Sequence, residues 1–171
     1  KKMIEFLLER GEDINIQDEY QNTALHQAVY QAARRNSVKQ IKALIERRAD
    51  LELKNHSNFT ALQIAANIVN SKALKTLIKG GADTTVLDNN GLTLLEMAKK
   101  TYKLYLLLQE DLYLEQAQET IKILETEEKK KERLEEKCYK VIMAEGLNMK
   151  YIPEYIKERW EEEEEQETKG T

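Results

Sequence analysis

Apolar residues recur along this chain in short stripes at three-to-four spacing, the pattern of amphipathic helices. The stripes begin with Ile4, Leu7 and Leu8, resume with Leu25 and Ala28, and continue through Ile41, Leu44 and Ile45. Leu62 and Ala65 come next, then Leu74, Leu77 and Ile78, then Leu95 and Ala98. Between alternate stripes lie polar, turn-rich segments such as Asp88-Asn89-Asn90-Gly91, whose composition favours a tight reversal. Helix, turn, helix, loop is the predicted order, repeated.

After Ala98 the rhythm changes. Tyr102–Leu108 falls where a further second helix would stack, and Leu112, Ala117, Ile121 and Leu124 continue at helical spacing. Residues 125–133 contain no apolar side chain. Within them Glu125–Lys129 and Glu127–Lys131 are i,i+4 pairs in the favourable orientation, each worth about 0.3–0.5 kcal/mol. A solvated helix is expected there, with a hairpin turn between two helices as the alternative. Apolar spacing resumes at Leu134, Cys138, Val141 and Ile142, and Gly146 reads as a helix stop. Pro153 suits the first turn of another helix carrying Tyr155, Ile156 and Trp160. Glu161–Glu165 is a like-charge run, expected to be solvated and disordered.

Two motifs recur with a common period. Thr23-Ala24-Leu25-His26-Gln27-Ala28 returns as Thr60-Ala61-Leu62-Gln63-Ile64-Ala65 and as Thr93-Leu94-Leu95-Glu96-Met97-Ala98. Leu7-Leu8-Glu9-Arg10-Gly11-Glu12-Asp13 returns as Leu44-Ile45-Glu46-Arg47-Arg48-Ala49-Asp50 and as Leu77-Ile78-Lys79-Gly80-Gly81-Ala82-Asp83. Both are offset first by 37 residues and then by 33. Each Thr is a good N-cap, because its hydroxyl can satisfy a first-turn N–H that the helix leaves unpaired. The Leu-x-x-Ala that follows supplies a narrow apolar stripe suited to close packing. Gly11 and Gly81 stand just past the second helix, where a left-handed residue ends it.

This pattern resembles the ankyrin repeat, with its 33-residue period and T-P-L-H-x-A signature. The likeness covers about residues 1–101. It implies an all-α solenoid of antiparallel helix pairs with β-hairpin-like finger loops, followed here by a helical C-terminal extension. The expected organisation is an array over 1–108, a helical extension over 109–160 and an acidic tail over 161–171. The array comprises the second helix of one repeat (residues 3–11), two full repeats (about 18–50 and 55–83) and a terminal repeat from Asp88. Because Ile4, Leu7 and Leu8 lack a partner helix, at least one repeat is expected upstream.

Several positions depart from the family's pattern. Ala24, Ala61 and Leu94 replace the signature Pro, and only His26 keeps the signature His, a role the resemblance assigns to a hydrogen bond between turns. Arg48 stands where Gly is expected. The spacing of 37 places four extra residues at Ala32–Arg35, about one helical turn. That turn should leave Arg34 and Arg35 exposed, and deleting residues 32–35 should change stability little. The extension should cap the array, using Leu104, Leu107 and Leu108 first.

Composition narrows the function. Six Gly and one Pro are too few for a turn-rich β protein. A single Cys excludes an internal disulfide framework and points to a reducing, intracellular and cytoplasmic setting. The longest apolar run, Leu104–Leu108, is far short of the roughly 20 residues that span a bilayer, so no membrane insertion is expected. Up to residue 101 there are fifteen basic and twelve acidic residues; beyond it there are twelve and nineteen. An anionic second half repels phosphate backbones, which argues against nucleic acid as a partner.

Chemistry finds little purchase. Two His and one Cys cannot assemble a Cys and His metal set, and no phosphate-binding glycine loop appears. Cys138 on its apolar stripe reads as a buried small hydrophobe, and His56 as an exposed loop residue. No enzyme activity, catalytic residue, metal or cofactor is expected. Binding is the stronger expectation, because the repeat leaves some positions free of packing duty. By resemblance these are Glu19, Tyr20 and Asn22; Tyr30 and Gln31; His56, Ser57 and Phe59; Asn67 and Ile68; Asn89, Asn90 and Leu92. Tyr20, Tyr30, Phe59, Ile68 and Leu92 stand out as apolar or aromatic where a polar residue would be cheaper. Phe59, on the central finger, is the expected anchor.

The expected function is a protein-binding scaffold or adaptor working through its concave finger and inner-helix face. The alternative is a structural lead-in that positions a helical or catalytic domain elsewhere in a longer chain. A Lys-, Asn- and Glu-rich composition, together with the use of such arrays by intracellular bacteria and large viruses, extends the first reading to an effector acting on host proteins. Partner identity and oligomeric state are not legible.

Overall fold

The computed structural model describes residues 13–108 and 111–145, with side chains omitted at 111–112 and 138–145. The expected partial first repeat, the Cys138 side chain, the Gly146 stop, the helix after Pro153 and the acidic tail lie outside the described residues. Among those described there are six helices: α1 (Ala24–Arg35), α2 (Lys39–Glu46), α3 (Ala61–Asn67), α4 (Ser71–Lys79), α5 (Leu94–Leu108) and α6 (Asp111–Glu145). By compactness one unit ends at Thr126 and a second begins at Glu127.

Each inner helix starts where its threonine predicts. Thr23 Oγ accepts from the amide of His26 and Thr60 Oγ from that of Gln63, while the residue-three side chain reaches back to the threonine amide. Thr93 and Glu96 repeat the arrangement at the head of α5. These reciprocal boxes satisfy two otherwise orphan donors per helix. The helices then pack through their small residues. Ala28, Ala65 and Ala98 are fully buried, so α1, α3 and α5 approach closely, while Leu25, Leu62, Ile41, Leu44, Leu74 and Leu77 fill the space toward the outer helices α2 and α4.

The four extra residues do lengthen the inner helix: α1 has 12 residues and α3 has 7. Arg34 and Arg35 are exposed. Ala32, however, is buried, so the added turn is not free surface. Asn36 ends α1 in the left-handed region (φ 49°) and its side-chain oxygen accepts from Lys72 Nζ at 2.8 Å. Val69 holds the corresponding place after α3, at φ 48° and wholly buried. For a β-branched residue this is a costly conformation.

The capping of the array differs from the expectation. Leu104, Leu107 and Leu108 are exposed, Leu107 at 81%, and do not cover the terminal repeat. The reason lies in the helix: Tyr102–Leu108 does not turn back as a second helix but prolongs inner helix α5. Only Tyr102 and Tyr105 of that stretch lean on the core. The cover comes from the first half of α6, where Ala117, Thr120 and Leu124 are buried. Thr120 Oγ lies 3.1 Å from the Val69 carbonyl and 2.8 Å from the Gln116 carbonyl of its own helix. Glu119 accepts from Ser71 Oγ at 2.7 Å and pairs with Lys75, Lys99 pairs with Glu125 at 3.4 Å, and the rings of Tyr105 and Tyr113 stack with centroids 5.2 Å apart.

Within the second unit, residues 127–145 are helical. The apolar-free stretch is therefore helix and not a hairpin turn, but its pairs differ from those expected. Glu125 goes to Lys99, Glu127 pairs with Lys130 at 2.6 Å, and Lys131 with Glu135 at 3.9 Å. Glu125, Glu127 and Glu135 are half-buried and pair with lysines that helix packing or their own helix brings within reach, so spacing alone decides little.

Candidate binding surface

Three finger turns precede the inner helices, and one polar side chain builds each. Asp18 Oδ1 accepts from the amides of Tyr20 and Asn22, Asn55 Oδ1 from Ser57 and Phe59, and Asp88 Oδ1 from Asn90 and Leu92, all at 2.8–3.1 Å. Each turn is closed by a main-chain bond from the same residue to the carbonyl four positions on. The fourth residue is left-handed in every case: Gln21 (φ 57°), Asn58 (φ 62°) and Gly91 (φ 75°). An Asx side chain that mimics the backbone makes this geometry inexpensive.

The fingers are also tied to one another. The His56 amide donates to the Tyr20 carbonyl at 2.9 Å, and Asn55 Nδ2 to Asn22 Oδ1 at 3.1 Å. Asn58 Nδ2 donates to Asn89 Oδ1. Behind them His26 holds two turns together: Nδ1 accepts from the Thr23 amide at 3.1 Å, and Nε2 lies 3.0 Å from the Phe59 carbonyl. A carbonyl only accepts, so Nε2 carries the proton. Burial holds the His26 pKa below its ordinary value, against an upward pull from the Phe59 carbonyl. The imidazole is a neutral strut, as the resemblance implied. Gln63 occupies the same place one repeat on; it is fully buried, and among the described residues its Nε2 has no hydrogen-bond partner.

The turn carboxylates titrate low. For Asp88 the Leu92 amide is the main cause, opposed by desolvation and helped by Asn90. For Asp18 desolvation is the largest single influence and acts upward, but the combined bonds from Asn22, Tyr20 and Gln27 outweigh it.

The thirteen candidate residues divide by what they do. Glu19, Tyr20, His56, Ser57, Asn89 and Asn90 are exposed on the finger turns, and Tyr30 and Asn67 are exposed on inner helices α1 and α3. Tyr20 is 62% exposed and Tyr30 40%. Asn22, Gln31, Phe59, Ile68 and Leu92 are half-buried. Phe59 and Ile68 pack against the core, so Phe59 is not the freely presented anchor expected of it. Its carbonyl is engaged by His26 and by the Asn55 amide, which fixes the main chain there. The turn-building role of Asp18, Asn55 and Asp88 was missed, although their shared 37 and 33 spacing was visible. The described residues contain no group of three or more His, Cys, Asp or Glu able to hold a metal ion, and no helix among them is long and apolar enough to cross a membrane.

A family model for ankyrin repeats (3 copies) matches residues 29–115, and another for ankyrin repeats (many copies) matches residues 1–32. The ankyrin repeat domain-containing protein SAT10 of Stachybotrys chartarum is 38% identical over 81 residues, 47% of this chain. That stretch amounts to 4% of the relative's own length.

Proposed function

Because the chain belongs to the ankyrin-repeat family, we propose that it binds a protein partner through its finger turns and the exposed side of its inner helices. Ankyrin arrays are generally protein–protein interaction modules, and their stacked repeats create an extended concave surface for the purpose. One observation carries the reading to particular residues. Tyr20 is an exposed aromatic on a finger held by main-chain and Asx bonds within it and by further bonds to the next finger, and Tyr30 is one on inner helix α1. A rigid platform with aromatic side chains loses little entropy on binding, and aromatic anchors dominate many interfaces. Glu19, His56, Ser57, Asn67, Asn89 and Asn90 would supply the polar surround.

The test compares the chain with its Tyr20→Ser, Tyr30→Ser variant, measuring both melting temperature and affinity for a protein captured from lysate. Unchanged melting with at least tenfold weaker binding is expected, about 1.4 kcal/mol. Unchanged binding would move the interface elsewhere. A second reading, in which the array mainly supports a helical extension, is favoured by the burial of Ala117, Thr120 and Leu124. It predicts that the double variant changes neither quantity.

A further inference from the structure

Between outer helices α2 and α4 lies an open groove of about 390 Å³ that shares no residue with the surface just described. Its floor is apolar, formed by Val38 and Ile45, with Ile45 packed so closely on Gly80 that an added Cβ there would meet it at 2.8 Å. Its walls are basic. Lys72, Lys75 and Lys79 project from α4 at helical spacing, and Lys42 faces them from α2. Glu46 is the single acid in the lining.

The protein already satisfies part of this charge with a carboxylate. Glu119 takes Lys75 and the Ser71 hydroxyl, and the Lys75 hydrogen bond is the main reason its pKa lies below the usual glutamate value. Lys72 is occupied by Asn36. Among the described residues the side-chain amines of Lys42 and Lys79 engage neither a hydrogen bond nor an ion pair. Cations flanking an apolar trough call for a ligand that is anionic on two edges and apolar between them. Phosphate groups lack the apolar part, and the lining offers no Arg for the bidentate contacts that favour them.

We propose that this groove docks an acidic, amphipathic helical peptide segment of a partner protein, its carboxylates on Lys42 and Lys79 and an aliphatic side chain over Ile45. This is helix-in-groove recognition, with lysine charge selecting the partner.

The experiment titrates the full chain at low salt with a fluorescent, blocked peptide of repeated glutamate-glutamate-leucine triplets. Saturable binding is expected, weakening steeply with added salt. Lys42→Glu with Lys79→Glu should weaken it at least tenfold at unchanged melting temperature, and that variant should instead bind a lysine-lysine-leucine peptide. Should the double variant melt early, Lys79→Gln alone is expected to weaken binding about threefold. Tyr20→Ser with Tyr30→Ser should leave it intact, separating this groove from the finger surface. Equal affinity for a polyglutamate peptide without leucine would overturn the proposal, since the groove would then be only a charge patch. Binding of phosphatidylserine vesicles but not of the peptide would also overturn it, as would peptide binding indifferent to the lysine changes.

Discussion

Arg48 ends α2 at φ 60°, where its counterpart in the next repeat, Gly81, sits at φ 93°. A left-handed residue with a Cβ costs roughly 1–2 kcal/mol, and glycine returns about half of that as lost chain entropy. Arg48→Gly is therefore expected to stabilise by about 0.5–1 kcal/mol. Gly81→Ala, with nothing within 4 Å of the new Cβ, should cost a similar amount through backbone strain alone. Urea melts of the two variants check both signs. His26 sets a pH dependence at the same scale. Its folded pKa is depressed by burial, so the unfolded chain binds the proton more readily. Its contribution is complete above the ordinary value of 6.5 and is lost as pH falls from there toward the depressed folded value. Asp18 and Asp88, also depressed, act in the same direction at lower pH: their contribution is present above 3.8 and lost below it. Stability should fall from pH 7.5 to 5, and His26→Gln should flatten that part of the curve. An unaltered slope in the variant would assign it to other groups.

At the scale of elements, the lengthened α1 separates what an insertion exposes from what it packs. Arg34 and Arg35 are solvated, and replacing both with Ala should change stability by less than about 0.5 kcal/mol. Ala32 is buried and Asn36 caps the helix while accepting from Lys72, so the turn is anchored at both ends. Deleting residues 32–35 restores the 33-residue period but removes that packing and moves the cap. A loss of about 1–2 kcal/mol is expected, contrary to the neutrality the spacing suggests. Thermal melts of the deletion beside the double alanine variant distinguish the two. The same logic explains α5. With no left-handed stop after Ala98, its helix runs on to Leu108 and carries four leucines outward that a shorter inner helix would not have contained.

For the molecule as a whole, the decisive element is the first half of α6, which buries the end of the array. A chain cut after residue 108 would bare the core against which Ala117, Thr120 and Leu124 pack, and leave the Val69 carbonyl without Thr120. It should aggregate or melt without cooperativity. A chain cut after Thr126, where the first compact unit ends, should fold and melt cooperatively. Size-exclusion chromatography and circular dichroism report both outcomes. A soluble, cooperative 1–108 fragment would show that the array needs no such cover.

The sequence by itself determined the repeat, its register, its three threonine caps and its finger turns. These depend on side chains acting within about four positions of themselves, and a periodic array prints the same local solution at each step. Tyr20 and Tyr30 were legible as exposed for the same reason: their neighbours in the period are already committed to packing. Tertiary structure decided the rest. Phe59 is apolar in a loop, and only the packing of its side chain against the core separates it from the exposed Tyr20. After Ala98 no period remains, so Leu104–Leu108 and Ala117–Leu124 are equally plausible covers on hydrophobicity alone. Which stripe is buried follows from where α5 stops and how α6 returns. The lysine groove belongs to the same class, because Lys42 and Lys79 meet only when two helices 33 residues apart in register pack side by side.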